Sequence, residues 1–386
     1  MMYDRIMGFA GELVALRRDL HMHPELAFEE HRTSKLTAEE LTRLGYGVTT
    51  GIAGTGVIGT LVNGTSRKVI GIRADMDALP IHETTGLAYA SRHAGKMHAC
   101  GHDGHTTMLL GLARYLSETY DFDGTVHLIF QPAEEDLSGA HRMVSEGVFK
   151  RFACDQIFAL HNMPGEPLGQ VRVRAGAITA SIAIVDVTIR GVGGHGAFPH
   201  QAIDPVVAAS SAVMALQTVV SRNTDPHDPV AVTVGAINGG VLATAIPETV
   251  NLKIGVRTCS NSTRQMMAER IPHLLMQQAA SFGCVAEVEY GQGLIYPACI
   301  NDVNAAKAVR DTALDLGQNP LSIDLAGPYM FAEDFAFILE EIPGAYFGIG
   351  NGPTKNLHES SYDFNDDLLV RGTQFWAALV QRQLSI

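Results

Sequence analysis

No apolar run in the 386-residue chain approaches the ~20 residues that a membrane-spanning helix requires. Basic stripes are missing too: 28 Lys and Arg against 41 Asp and Glu leave a formal charge of −13, which argues against a nucleic-acid or anionic-membrane partner. Cysteine is sparse. The five thiols, at positions 100, 154, 259, 284 and 299, form no CxxC pair, so a disulfide framework is excluded and reduced thiols in a cytoplasm are expected. The opening MMYDRIMGFAGELVALRRDL interleaves apolar residues with charges at helical spacing and lacks the continuous apolar core of a secretory signal. Low-complexity segments and short-period repeats are absent, and the single tryptophan, Trp376, is expected to pack within a C-terminal helix. What remains, 46% hydrophobic and 18% charged residues, is the composition of an ordinary globular protein long enough for two domains.

Strand-like and helix-like segments alternate, the mark of an α/β sheet with covered faces. KVIGIRA (68–74), TVHLIF (125–130), QIFALH (156–161) and AYFGIG (345–350) are short apolar runs of buried-strand type. Helical periodicity occupies 105–118, 139–149, 331–342 and 367–384. Between them lies a different rhythm: strand 181–191, helix 204–222 starting at an Asp-Pro cap, strands 229–237 and 248–258, helix 262–283 with a central proline, and strand 284–291. That β-α-β-β-α-β order is ferredoxin-like. The expected fold class is therefore α/β, with a mostly parallel, helix-covered sheet from residues 1–180 and 296–386 and an inserted ferredoxin-like α+β domain at 181–295. The outer strand and helices of such an insert favour burial against a second copy, so a homodimer or higher homo-oligomer is expected.

MHACGHDGH (97–105) concentrates three histidines, a cysteine and an aspartate in nine positions. A metal site and a nucleophilic cysteine beside histidine both fit that composition. The remaining polar residues cluster after predicted strands. Asp75 and Asp77 follow the first run, Glu134 and Glu135 the second, His161 closes the third, and His358 follows the fourth. Parallel strands present their carboxyl ends along one edge, where ligands bind, so these residues can converge with Cys100 and His102. Each has a bland counterpart: turn-forming aspartates, a glutamate pair at a helix start, or an isolated core histidine.

HMHPELAFEE (21–30), GIRADMDALPI (71–81), MHACGHDGH, FQPAEE (130–135), ALHNMP (159–164), GVGGHGAFPH (191–200), AIPETVNLKIGVRT (245–258), AEDFA (332–336) and LHESSYDFN (357–365) occur in one order. In that order they resemble the hippurate hydrolase group, with its N-acyl-amino-acid amidohydrolases, carboxypeptidases and indole-acetyl-amino acid hydrolases, within the twentieth metallopeptidase family. The resemblance covers nearly the whole chain, and the ordered set is far more specific than any single motif. It implies two divalent transition-metal ions per subunit, held by Cys100, His102, Glu135, His161 and His358, and makes Cys100 a ligand rather than a nucleophile. Zn²⁺ or Mn²⁺ is the expected pair, and the mixed donors also admit Co²⁺ or Ni²⁺. Glu134 matches the general base and Asp77 the aspartate that orients a metal-site neighbour. His195 matches an inserted-domain histidine that in related dimers reaches the partner subunit's site and would stabilise the tetrahedral oxyanion.

The implied reaction is hydrolysis of an N-acyl-amino acid, a small-molecule substrate, to a carboxylate and a free amino acid. A dipeptidase or carboxypeptidase with the same site is the first alternative, a cysteine hydrolase using Cys100 and a non-catalytic small-molecule binder on the same fold are the readings from other classes, and the inserted domain becomes a lid and dimerisation domain. Arg257 is a candidate for bidentate contact with a substrate carboxylate. His21 and His23 are expected to be structural. Thr244 stands where the family usually carries Asn, and DLSGA (136–140) follows FQPAEE where relatives are richer in glycine.

Overall fold

A computed structural model describes residues 2–136, 138–291 and 295–385, so Leu137 of DLSGA lies outside the described residues. The chain divides into two compact units: residues 1–178, 300–327 and 334–386 form one, and residues 179–299 with 328–333 form the other. Among the described residues no helix is long and apolar enough to cross a membrane.

The first unit is built on a seven-stranded sheet. Its four central strands run parallel in the order Gly124–Gln131, Val69–Asp75, Gln156–Pro164, Gly344–Gly352. Val69–Asp75 is buried at every position but its first, as expected of a strand covered on both faces. Antiparallel strands close the two edges: the pair Gly47–Ile52 and Gly56–Asn63 on one side, Val171–Arg172 on the other. Each predicted strand appears within a few residues of its expected limits. Aromatic packing of Phe347 against Phe375 and Trp376 ties the strand Gly344–Gly352 to the last helix, Asp367–Gln383.

The helices depart more from the periodicity. The helix expected from 105 begins at His102, because left-handed Gly101 (φ 95°) closes the turn before it. The one expected over 139–149 is interrupted by Gly147 (φ 70°) into Gly139–Ser145 and Val148–Arg151. That expected over 331–342 shrinks to Phe335–Leu339, since the Phe331 carbonyl instead accepts the Ala180 N–H at 3.0 Å within the second unit.

The second unit carries a four-stranded antiparallel sheet in the order Val230–Asn238, Thr249–Thr258, Ala183–Arg190, Val285–Tyr290, the ferredoxin-like arrangement. Alternation decides which face is buried: Val185, Val187 and Ile189 on one strand and Val250, Leu252, Ile254 and Val256 on its neighbour point to the core. Ala208, Ala212, Leu216 and Val219 of helix Pro205–Asn223 and Met267, Ile271, Leu275 and Ala279 of helix Asn261–Ala280 supply the other wall at three- and four-residue spacing. Asp204 caps the first of these helices by accepting the Val206 N–H at 2.8 Å.

Gly344 starts the last parallel strand where a Cβ would lie 2.1 Å from the Ile157 carbonyl oxygen. Gly344→Ala should therefore force the two strands apart and lower stability by roughly 1–3 kcal/mol, read as a lower urea midpoint at unchanged m-value.

Candidate metal centre

The carboxyl ends of the parallel strands assemble the site. Asp75 ends the strand Val69–Asp75 and pairs in register with Gln131, three residues before Glu134. His161 lies within Gln156–Pro164, and His358 follows Gly344–Gly352, its N–H donating to the Ala99 carbonyl at 2.8 Å. Gly101 brings Cys100 and His102 to the same place. A Cβ there would meet Asn162 Oδ1 at 2.5 Å and the Tyr362 hydroxyl at 2.8 Å, so the turn needs glycine for space as well as for its positive φ.

The residues singled out in the sequence form overlapping donor clusters: Cys100, His102 and His161; Cys100, Glu135 and His358; and His102, Glu134 and Glu135, with the donor atoms of each cluster all within 4.8 Å of one another. Cys100 Sγ is 3.3 Å from His161 Nε2, and His358 Nε2 is 3.4 Å from Glu135 Oε1. His102 carries the clearest mark of a cation site. Its Nδ1 lies 2.9 Å from the Asp77 carbonyl and 3.3 Å from Asp77 Oδ1, which places the ring proton on Nδ1 and, in the neutral ring, leaves a lone pair on Nε2. That Nε2 is buried without a hydrogen-bond partner, 3.8 Å from Glu134 Oε2 and 3.9 Å from Glu135 Oε1. An orphaned imidazole nitrogen between two carboxylates and near a thiol is a donor set that fits a divalent transition metal.

The electrostatics point the same way. Burial alone would lower His102, but Asp75 and Asp77 raise it to about 10, so a positive charge at Nε2 is favoured, whether a proton or a metal ion in its place. Burial, together with neighbouring His105, pushes His161 down to about 3 and keeps its imidazole neutral. Burial and the Glu135 and Glu134 charges hold the Cys100 thiol well above its ordinary range. His358 adopts a left-handed backbone (φ 64°) unusual for a residue with a Cβ, and strain of this kind concentrates at functional sites.

His195 and Arg257 belong to the second unit. His195 lies on the short strand Gly194–His195, paired with Ala245, and is exposed; its Nδ1 accepts the Ala197 N–H at 3.1 Å, which leaves the proton of the neutral ring on Nε2. Arg257 is half-buried, and its Nη1 donates to the Met330 carbonyl at 2.9 Å.

A sequence profile of peptidase family M20/M25/M40 matches residues 71–382. The chain belongs to the M20 peptidase family. Hippurate hydrolase of Campylobacter jejuni is 40% identical over 98% of both chains. An ILR1-like IAA-amino acid hydrolase of Arabidopsis thaliana is 40% identical over 96% of this chain and 85% of that protein. A Bacillus subtilis structure titled a dinuclear metal binding peptidase from the M20 family superposes with a TM-score of 0.84 at 32% identity, covering 98% of this chain and 99% of that one. This M20 protein is accordingly an amide-bond hydrolase.

Supporting residues of the M20 site that sequence reasoning passed over lie behind the donors. His105, on the helix face of His102, bonds Asp75 Oδ1 at 2.6 Å, and Asn162 Oδ1 is 2.7 Å from its other nitrogen. Arg73 Nη1 donates to Asp75 Oδ2 at 2.6 Å and Nη2 to Asp334 at 3.1 Å. The i, i+3 spacing of His102 and His105 was the available signal for the first of these. On the other side of the helix start, fully buried Asp103 pairs with Arg17 Nε at 3.0 Å and His21 Nδ1 at 2.8 Å, while His21 Nε2 is 3.4 Å from Glu83. Burial opposes protonation of His21, yet Asp103 and Glu83 raise it from 6.5 to about 9. A raised folded-state pKa stabilises the fold fully below pH 6.5, and the contribution disappears as pH climbs toward 9. Urea midpoints should therefore fall across that window by the equivalent of roughly 2–3 kcal/mol, and His21→Asn should flatten the slope.

Proposed function

We propose that the chain cleaves the amide bond of N-acyl-amino acids to a carboxylate and a free amino acid, with Cys100, His102, Glu135, His161 and His358 holding two divalent ions. The observation that carries the reading is the buried, partnerless His102 Nε2 among Glu134, Glu135 and the Cys100–His161 pair. Full-length similarity to a hippurate hydrolase and an IAA-amino acid hydrolase supports the substrate class. Zn²⁺ or Mn²⁺ is the proposed pair, with Co²⁺ and Ni²⁺ compatible with the same N, O and S donors. Bound there, such ions supply Lewis acidity toward the scissile carbonyl and acidify a water molecule.

The residues supply the rest. Glu134 takes a proton from the attacking water as its oxygen bonds to the carbonyl carbon, then delivers that proton to the amine nitrogen as the C–N bond breaks. Asp77 holds the His102 ring through the Nδ1 contacts. His195, exposed and with the proton of its neutral ring on Nε2, is the proposed donor to the oxyanion, and Arg257 the proposed partner of the substrate carboxylate. A nucleophilic role suits Cys100 poorly, because reactive cysteines have depressed pKa values and this thiol is buried beside carboxylates that raise it. The same site would serve a dipeptidase or carboxypeptidase. Five free cysteines suit a reducing cytoplasm.

Glu134→Gln preserves volume but not basicity. Turnover of a hippurate-type substrate should fall by about 10²- to 10⁴-fold while metal content by elemental analysis stays at the wild-type level; retained turnover with full metal would remove Glu134 from the mechanism.

The inserted unit is the proposed dimerisation surface, with His195 completing the partner subunit's site. Mixing inactive Glu134→Gln with inactive His195→Ala should then restore activity on subunit exchange, since one site of each hybrid carries both groups intact. Hybrids that form but stay inactive would place the histidine in its own subunit's site.

A further inference from the structure

We infer that Glu30, remote in sequence from every candidate ligand, is a positioning residue that aims the Glu134–Glu135 doublet; the inference rests on the roles proposed for that doublet. Glu30 closes the segment HMHPELAFEE, which the proposed chemistry leaves without a task, and its side chain is fully buried. One carboxylate oxygen, Oε1, accepts two backbone N–H groups, from Ala133 at 2.8 Å and from Phe28 at 3.0 Å. The other, Oε2, accepts the Thr55 hydroxyl.

Both of those amides belong to residues in the left-handed region: Phe28 at φ 61° and Ala133 at φ 54°. Side chains with a Cβ are uphill there, so such a backbone persists only where its surroundings hold it. Among the described residues just five non-glycine positions have positive φ, and a single oxygen holds two of them. Ala133 is the joint between the strand ending at Gln131 and the doublet. If its backbone relaxes to negative φ, the peptide planes around it rotate and the two glutamates that follow lose their direction.

The loop is closed on its other sides as well. The Ala133 carbonyl accepts the Gly139 N–H at 3.1 Å, and Asp77 Oδ2 accepts the Glu135 N–H at 2.8 Å. Gly139 leaves no slack, since a Cβ there would lie 1.7 Å from the Pro132 carbonyl oxygen. A carboxylate suits the Glu30 position because it is acceptor-only and can serve two amides and a hydroxyl at once. Glutamine retains the Oε1 acceptor and can donate from its amide nitrogen to the Thr55 oxygen, so it is the conservative variant.

The test reads both turnover and ligand geometry in cobalt-substituted protein. Glu30→Ala should lower kcat by about 10²-fold with KM within about threefold, and should change the visible Co²⁺ bands as Glu135 shifts. Glu30→Gln should keep kcat within about fivefold of wild type and leave the bands in place. Adding Ala133→Gly to Glu30→Ala should recover at least about tenfold in kcat, because glycine takes positive φ without support. Glu30→Ser, which admits water to the freed amides, replaces the alanine variant if that one does not fold. Wild-type kcat and bands in Glu30→Ala, or no recovery on adding Ala133→Gly, would overturn the inference. Glu135→Ala is the independent control: unchanged Co²⁺ bands in that variant would overturn the ligand role of Glu135 itself, whatever Glu30 does.

Discussion

The buried carboxylate of Asp75 is the charge on which the ligand edge depends. It ends a parallel strand with no access to water, and it is held ionised by His102, Arg73 and His105 against the cost of burial. An unpaired carboxylate there would cost several kcal/mol, so each partner is committed to its position. Those commitments propagate. His105 reaches Asn162, Asn162 reaches the Tyr362 hydroxyl at 2.6 Å, and both crowd Gly101, whose turn delivers Cys100 and His102 to the cluster. Arg73 extends the chain to Asp334, whose other oxygen accepts the Ala140 N–H just beyond the glutamate loop. One ionised group thus fixes both sides of the donor set through charge-assisted bonds, which are directional and short.

Around this frame the backbone is held in costly conformations. Phe28, Ala133 and His358 take left-handed geometry beside or within the site, whereas the second unit has no such non-glycine residue among those described. The contrast follows from what each unit does. The ferredoxin-like unit obeys alternation on its strands and helical spacing on its helices, and its polar bonds lie mostly on the surface. The unit that carries the donor cluster departs from local preference where donor direction is at stake, and it offsets that cost with a large apolar core running from Ile6 to Leu384.

The central strands were legible because a run such as VIGIR, buried on both faces, can hardly be anything else. Gly47–Ile52 was not, since GVTTGI is short, rich in glycine and largely exposed, and it becomes a strand by pairing with Gly56–Asn63. Helix limits were less legible than strand limits for a related reason. Gly101 and Gly147 act through left-handed turns whose direction depends on neighbours distant in sequence, and periodicity carries no trace of that. The donor residues were legible as a set through their repeated place after strands and the order of their motifs. Asp103 was not marked out from the flanking histidines, although its pairing with Arg17 and His21 anchors the start of the same helix.

By itself, the sequence determined the chemical types of the donors, their positions at or near strand ends, the acidic character of the chain, and the two periodicities of the inserted unit. These are local properties, written in composition and in spacings of two, three or four residues. Only the tertiary structure decided which nitrogen of His102 faces the carboxylates, which charge steadies Asp75, and that Glu30 holds Ala133 from 103 positions away. Hydrogen bonds act over about 3 Å and depend on angle, so their partners are settled by how the chain closes on itself and not by any pattern along it.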